Sequence, residues 1–211
     1  MSQLPIQTSS GKYKIDFTDE HGLYALTQRM ADRSSTVRQV KDYLARAGVI
    51  VDEIRRDPEK GTEAAIEAYR RQGKNEQWIE TRIQGQVARD HFIQALKAAV
   101  DIELREFHYG AATNEIYLGL WRRTAAILKE QMELPRHAKL RDHQPQLALM
   151  YQMIAEETAS IELGDALYVS WDEAKRIVRS VAEFIGRQAR ATGKRLGIDI
   201  ATGKPLLKSG K

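Results

Sequence analysis

The chain has 211 residues, 42% of them hydrophobic and 29% charged, with a net charge of +4 and no cysteine. It contains no stretch of ~18 consecutive apolar residues and no apolar leader, so we expect neither a membrane span nor export. The missing cysteines exclude disulfides, thiol catalysis and thiolate zinc sites. A reducing interior fits this composition, and we expect a cytoplasmic protein. We assign it no metal and no cofactor.

Short elements are predicted at the start of the chain. Residues 13–17 alternate polar and apolar side chains, which is typical of one short strand. A single strand needs a partner, and the residues that follow do not obviously supply one. Residues 20–30 have the pattern of a short helix, with Thr18 or Asp19 as its cap.

Two further helices are predicted before residue 75. Ser35 precedes a helical apolar pattern that we expect to stop at Gly48, because glycine commonly ends helices. The pair Asp57 and Pro58 is a start signal, a cap followed by a first-turn proline, for a helix that ends near Gly73.

Residues 75–107 form the longest periodic run and contain no proline, although Gly85 allows a bend. One apolar stripe is followed by a second that is offset from it. The first consists of Ile79, Ile83 and Val87, and the second of Phe92, Leu96, Val100 and Leu104.

Three more helices follow. Thr113 and Asn114 are expected to cap a helix that ends before Pro135, and Pro145 lies in the first turn of the next. Ser170 opens a capping box for a last helix that runs to about residue 193, followed by an irregular segment. In the helix after Pro145, the residues predicted to face inward are Leu147, Met150, Tyr151, Ile154 and Ile161.

These elements predict a mainly α, multi-helix single fold with at most a small strand-containing remnant at the N-terminus. We divide the chain into residues 1–56, a helical domain over residues 57–195, and a basic tail over residues 196–211.

The positive charge is concentrated in the last forty residues. They hold ten lysines and arginines against four acids, a surplus of +6, which leaves −2 for residues 1–171. This asymmetry indicates either a polyanionic or acidic partner, or a solvated basic terminus.

Cations recur on the last predicted helix at helical spacing, opposite an apolar face. They would span about 27 Å and lie along a phosphate backbone. The candidate nucleic-acid-binding residues are Arg176, Arg179, Arg187, Arg190, Lys194 and Arg195. The alternative is a solvated helix face. Ala182 and Gly186, four residues apart on the same helix, indicate close helix packing within the chain or across a dimer.

No arrangement of residues in the sequence supports catalysis, so we do not expect this protein to be an enzyme. His137 and His143 flank Asp142 in a loop, but their spacing fits no metal motif, so we expect caps and loop hydrogen bonds, with Asp142 as a helix cap.

Glu156 and Glu157 are expected on the surface, as carboxylates on amphipathic helices usually are. Residues 197–205 imitate a phosphate loop but have the wrong glycine spacing. The three tryptophans favour core anchoring over base stacking.

Several segments occur in an order that resembles the BRO family, the phage antirepressor-like proteins related to bacterial damage-inducible protein D. Gly11-Lys12 with Asp16, and residues 21–24, look like the end of the family's N-terminal module. The segments that look like its later parts are residues 41–48, 51–54, 57–59, 78–82 with Arg89, 113–116, 140–143 and 155–156. Almost all of the strand-rich stretch that members carry before Gly11 is absent here.

The resemblance implies DNA binding or antirepression, that is, control of transcription in a phage or prophage. Our first hypothesis is a dimeric protein that binds DNA with weak sequence selectivity through its basic last helix, helped by the lysines that follow it. The rival hypothesis is an interaction module that sequesters a repressor or other regulator and contacts no DNA. A third, a metal-dependent hydrolase or nuclease using His137, Asp142 and His143, has the least support.

Overall fold

A computed structural model describes residues 2–8, 11–17, 20–31, 33–166 and 168–206. The expected mainly α fold is confirmed. Among the described residues, no helix has the length and apolar character of a membrane-spanning segment. The elements are β1 (Ser2–Thr8), β2 (Gly11–Phe17), α1 (Glu20–Arg29), α2 (Ser35–Arg56), α3 (Glu59–Arg71), α4 (Glu76–Ala99), α5 (Glu106–Trp121), α6 (Ala125–Gln131), a short 3-10 helix (Leu140–Asp142), α7 (Gln146–Asp165) and α8 (Trp171–Leu196).

The chain divides into two compact units, Met1–Ala68 and Tyr69–Lys211. This division falls inside α3, whereas the sequence-based division after residue 56 falls between α2 and α3. The two units are described separately below.

The first unit opens with an antiparallel hairpin. Ser2 lies opposite Phe17, and Thr8 lies opposite Gly11. The predicted strand over residues 13–17 therefore exists within β2, and its partner is the preceding segment. The predicted caps of α1, Thr18 and Asp19, lie outside the described residues.

The helix α2 does not stop at Gly48 as expected but continues to Arg56. Its N-cap is Ser34, whose hydroxyl accepts a hydrogen bond from the backbone N–H of Thr36. A glycine inside a helix costs only about 1 kcal/mol relative to alanine, which a long helix tolerates. The helix ends at its C-cap Asp57, because Pro58 follows and the residue before a proline is disfavoured in helical conformation.

The second unit pairs its four long helices in parallel. The contacts between α4 and α7 run in the same direction along both helices. At their N-terminal ends Trp78 contacts Gln144, just before α7, and further along His91 contacts Glu157. The helices α5 and α8 are also parallel: Glu115 contacts Arg179, and Arg190 contacts the last turn of α5. The largest fully buried apolar side chains lie among these helices and α6: Phe92, Leu96, Ile116, Leu120, Leu128, Leu163 and Val178.

The long run over residues 75–107 is two helices. The first, α4, is capped by Asn75 and ends at Ala99. The next helix begins at Glu106, where the ring Nδ1 of His108 accepts a hydrogen bond from the backbone N–H of Arg105. In the second predicted stripe Phe92, Leu96 and Val100 are buried and Leu104, beyond the end of α4, is partly buried, whereas Val87 of the first stripe is 53% exposed.

Thr113 and Asn114 do not cap a helix start, contrary to the prediction; they lie inside α5. The Thr113 hydroxyl donates to the carbonyl of Tyr109, one turn earlier. The Asn114 side chain instead accepts a hydrogen bond from the backbone N–H of Ala125, a donor in the first turn of α6 that has no partner within that helix. Between the two helices, Arg122 has a left-handed backbone with φ of 57°.

The inward face of α7 differs from the prediction. Met150, Ile154 and Ile161 are 40–66% exposed, while Leu147 and Tyr151 are partly buried. The face that packs in the core consists mostly of small and polar residues, namely Ala148, Leu149, Gln152, Ala155, Glu156, Ala159 and Leu163. The buried side of α7 therefore combines three alanines with two hydrogen-bonding polar side chains, which an apolar pattern alone does not identify.

The segment after α8 is irregular but packed. The helix extends past Gly193, where we expected its end, to Leu196, and Gly197 closes it with φ of 70°. Ile200 and Ala201 then enter the core, 4% and 0% exposed. Residues 197–206 are thus part of the second unit and not a solvated tail; residues 207–211 lie outside the described part of the chain.

Candidate nucleic-acid interface

The predicted basic helix, α8, forms with the expected cap and faces. The Ser170 hydroxyl accepts a hydrogen bond from the backbone N–H of Glu173. The buried face consists of small and branched side chains, Ala174, Val178, Val181, Ala182, Gly186, Ala189 and Gly193. The predicted cations lie outside this face, and their surroundings divide them into two groups.

The cations in the first half of α8 have acidic partners. Lys175 contacts Asp172 at 2.8 Å, and Arg176 contacts Glu173 at 2.5 Å. The Arg179 Nε donates to Glu115 on α5 at 2.7 Å. Their positive charge is therefore largely compensated within the protein.

The cations in the second half of α8 lack such partners. Within the described residues, Arg187, Arg190, Lys194 and Arg195 form no ion pair. The guanidinium of Arg187 lies over the ring of Phe184 at 5.3 Å, a contact that orients the side chain and leaves its charge uncompensated. This half of the helix has a positive charge excess.

Arg190, one of these unpaired cations, contacts the C-terminal end of α5. Its guanidinium donates to the carbonyls of Gly119 and Leu120, at 3.2 and 2.9 Å, which have no helical partner there. Burial, followed by the neighbouring charges of Arg122 and Arg187, lowers the pKa of Arg190, against the opposing effect of Glu183. The charges of Arg122, at the C-cap of α5, and of Arg187 therefore both act on Arg190. We call Arg122, Arg187, Arg190 and Lys194 the basic cluster.

Arg122 was missed by the sequence reasoning, because it caps the end of α5 and follows no periodic pattern. Only the packing of α5 on α8 brings it to the cluster. That packing was predicted in part. Ala182 and Gly186 lie where α8 approaches α5 closely, which is the alternative of helix packing within the chain. A Cβ at Gly186 would lie 2.5 Å from the carbonyl oxygen of Gly119.

The histidine loop offers no metal site in the described part of the chain. Asp142 is not a helix cap: its carboxylate accepts hydrogen bonds from Arg82 Nε at 2.9 Å and from the Tyr69 hydroxyl at 3.3 Å. Trp78 and Trp121 are 6% and 5% exposed, and Trp171 is partly buried against the core, which confirms core anchoring.

Glu156 is not on the surface as expected but fully buried. Its carboxylate accepts two hydrogen bonds from Arg141, at 3.0 and 2.5 Å, and a longer one from Arg89 at 3.4 Å. The charge of Glu156 raises the pKa of the Arg141 guanidinium although burial opposes this. Two buried cations therefore share one carboxylate.

No protein-family model matches the chain, and no curated protein has a sequence that matches it. The resemblance to the BRO family rests on the sequence segments quoted above.

Proposed function

We propose that this protein is a non-enzymatic, antirepressor-like regulator of the BRO kind that binds DNA by contacting phosphates through the basic cluster. The observation that carries the proposal is the uncompensated charge of Arg187, Arg190 and Lys194 on α8, joined by Arg122 from the end of α5. Arg195 extends the same surface by one residue. Arg176 and Arg179, with their acidic partners, contribute less than the sequence pattern predicts.

The dimensions of the cluster fit a short length of backbone. Arg187 and Lys194 are seven residues apart, which corresponds to about 10 Å along the helix axis and about three base pairs of duplex. Four cations that each neutralise one phosphate give a slope of about −3.6 for log affinity against log salt. A homodimer that presents two clusters to one duplex would double this slope. Phosphate contacts position a protein without reading bases, so binding is weakly sequence-selective.

The test is fluorescence anisotropy with a labelled duplex from about 50 to 200 mM salt, combined with a molar mass measurement. Arg187→Gln and Lys194→Gln should each weaken binding and make the slope shallower by about 1 per protomer. Arg176→Gln is the matched control, because it removes the same charge from the same helix but at a compensated position. Equal slopes for all three variants and the unmodified protein would contradict the assignment.

The exposed face of α7 favours a second candidate function. Met150, Ile154 and Ile161 are apolar, at least 40% exposed, and arranged on one helix at positions that the core does not use. This arrangement fits a protein that sequesters a repressor or another regulator without contacting DNA. Absence of DNA binding even at low salt, together with a stoichiometric protein complex that Ile154→Glu disrupts, would favour this candidate over the first.

A further inference from the structure

The helices α4 and α5 and the segment that contains the 3-10 helix border an open groove of ≈ 450 Å³, which lies apart from α8. No residue of the basic cluster lines it. The polar residues of the groove that matter here are Arg82, Gln86, Arg89, Tyr117, Lys139 and Arg141.

The floor of the groove carries a buried positive charge in excess. Arg89 and Arg141 share the single carboxylate of Glu156, and their side chains are 24% and 15% exposed. Burial and the charge of Arg141 lower the pKa of Arg89, and the attraction of Glu156 opposes this. A charge that is buried without full compensation is costly, and a bound anion would relieve that cost.

The wall and rim of the groove add donors. Arg82 uses its Nε for Asp142, and its terminal nitrogens have no hydrogen-bond partner among the described residues. Lys139 is exposed at the rim and forms no ion pair with any described residue. Three carboxylates oppose these cations: Asp142 and Glu156, which pair with the lining arginines, and Asp90, which lines the groove itself. Four cations and three acids leave a net charge of +1 around the groove.

We propose that this groove binds the phosphate group of a small ligand. A phosphate offers several acceptor oxygens, which suits the free terminal nitrogens of Arg82 and the ammonium of Lys139, two donors that come from different elements, while Arg89 and Arg141 are held by Glu156 and contribute their charge. A phosphate monoanion matches the net charge of +1 around the groove. The volume is in the range of small-molecule sites, so there is space for an organic group beyond the phosphate.

The site is tested on the full chain by calorimetric titration with inorganic phosphate at constant ionic strength. We expect saturable binding, and Lys139→Gln should weaken it about tenfold, as the loss of one charge-assisted contact does. Lys139 has no partner in the described structure, so this substitution leaves the fold intact. The Nε–H resonances of Arg82, Arg89 and Arg141 should shift in NMR spectra on addition of phosphate.

Arg187→Gln is the matched control, because it removes one exposed cation from the basic cluster. It should leave phosphate affinity unchanged, and Lys139→Gln should leave DNA affinity unchanged, so that the groove and the DNA interface fail or succeed separately. A nucleoside monophosphate that binds at least as tightly as phosphate, beside a nucleoside that does not bind, would support a phosphorylated organic ligand. Absence of saturable binding, or binding that Arg187→Gln weakens and Lys139→Gln does not, would overturn the proposal.

Discussion

The contact between α5 and α8 depends on the absence of a side chain at Gly186. A Cβ built there would lie 2.5 Å from the carbonyl oxygen of Gly119 and 2.9 Å from the Cα of Leu120. Both are backbone atoms of a packed helix, so they cannot rotate away as the end of a side chain does. Gly186→Ala must therefore push the two helices apart or distort one of them.

The net effect of Gly186→Ala is the difference of two terms. Overpacking a tight contact costs about 1–3 kcal/mol, and rigid backbone atoms place this substitution at the upper end. Replacing a helical glycine by alanine returns about 1 kcal/mol. We therefore expect a loss of about 2 kcal/mol, which for a chain of this length lowers Tm by about 4–8 °C.

Thermal unfolding followed by tryptophan fluorescence measures this loss, because all three tryptophans belong to the second unit. Gly110→Ala is the matched control: it lies in α5, and a Cβ there meets no atom within 4 Å. The control should gain about 0.5–1 kcal/mol. If Gly186→Ala gained stability as the control does, α5 and α8 would not be in backbone contact.

Two further predictions concern buried charges. Glu156→Gln leaves the guanidinium groups of Arg89 and Arg141 without a counter-charge, so the free energy of unfolding in urea should fall by about 3–5 kcal/mol; an unchanged urea midpoint and slope would contradict the buried charge cluster. Burial tends to raise the pKa of Asp199, but the hydrogen bonds and charge of Arg123 outweigh it and lower this pKa. The resulting stabilisation is present above the unfolded value of about 3.9 and is lost as the pH falls through the lowered folded value. Asp199→Asn should therefore be less stable at neutral pH and lose less on acidification, and equal acid sensitivity would refute this.

Local signals in the sequence predicted the helices where the chain itself determines them. Asp57 and Pro58 begin α3, and Ser170 begins α8, because a cap or a proline restricts the backbone regardless of its surroundings. The same reasoning failed at Gly48 and at Thr113. A glycine or a threonine is compatible with both a helix end and a helix interior, and distant contacts decide between them.

The candidate sites also depend on contacts between residues that are distant in the sequence, which local patterns do not reveal. The periodic cations of α8 were visible in the sequence, and their positions on its exposed side follow from the helical repeat. The local pairing of Arg176 with Glu173 is an i,i+3 contact on the same helix. The environments of Arg179 and Arg190 were not visible, because Glu115 and Arg122 come from α5 and its C-cap. The burial of Glu156 was also invisible in the sequence. An acidic residue in an amphipathic helix indicates a surface position unless its partners, here Arg89 and Arg141, are known.

The parallel pairing of α4 with α7 has a consequence for how the protein is made. Arg89 and Glu156 are 67 residues apart in the chain. At a synthesis rate of about 5–20 residues per second, Arg89 exists for about 3–13 s before the carboxylate that compensates it. During that interval Phe92 and Leu96 also lack the helices that cover them. Because α8 is the last of these helices in chain order, the second unit completes its core only after α8 has been synthesised, and the apolar side chains of the earlier helices are open to aggregation until then.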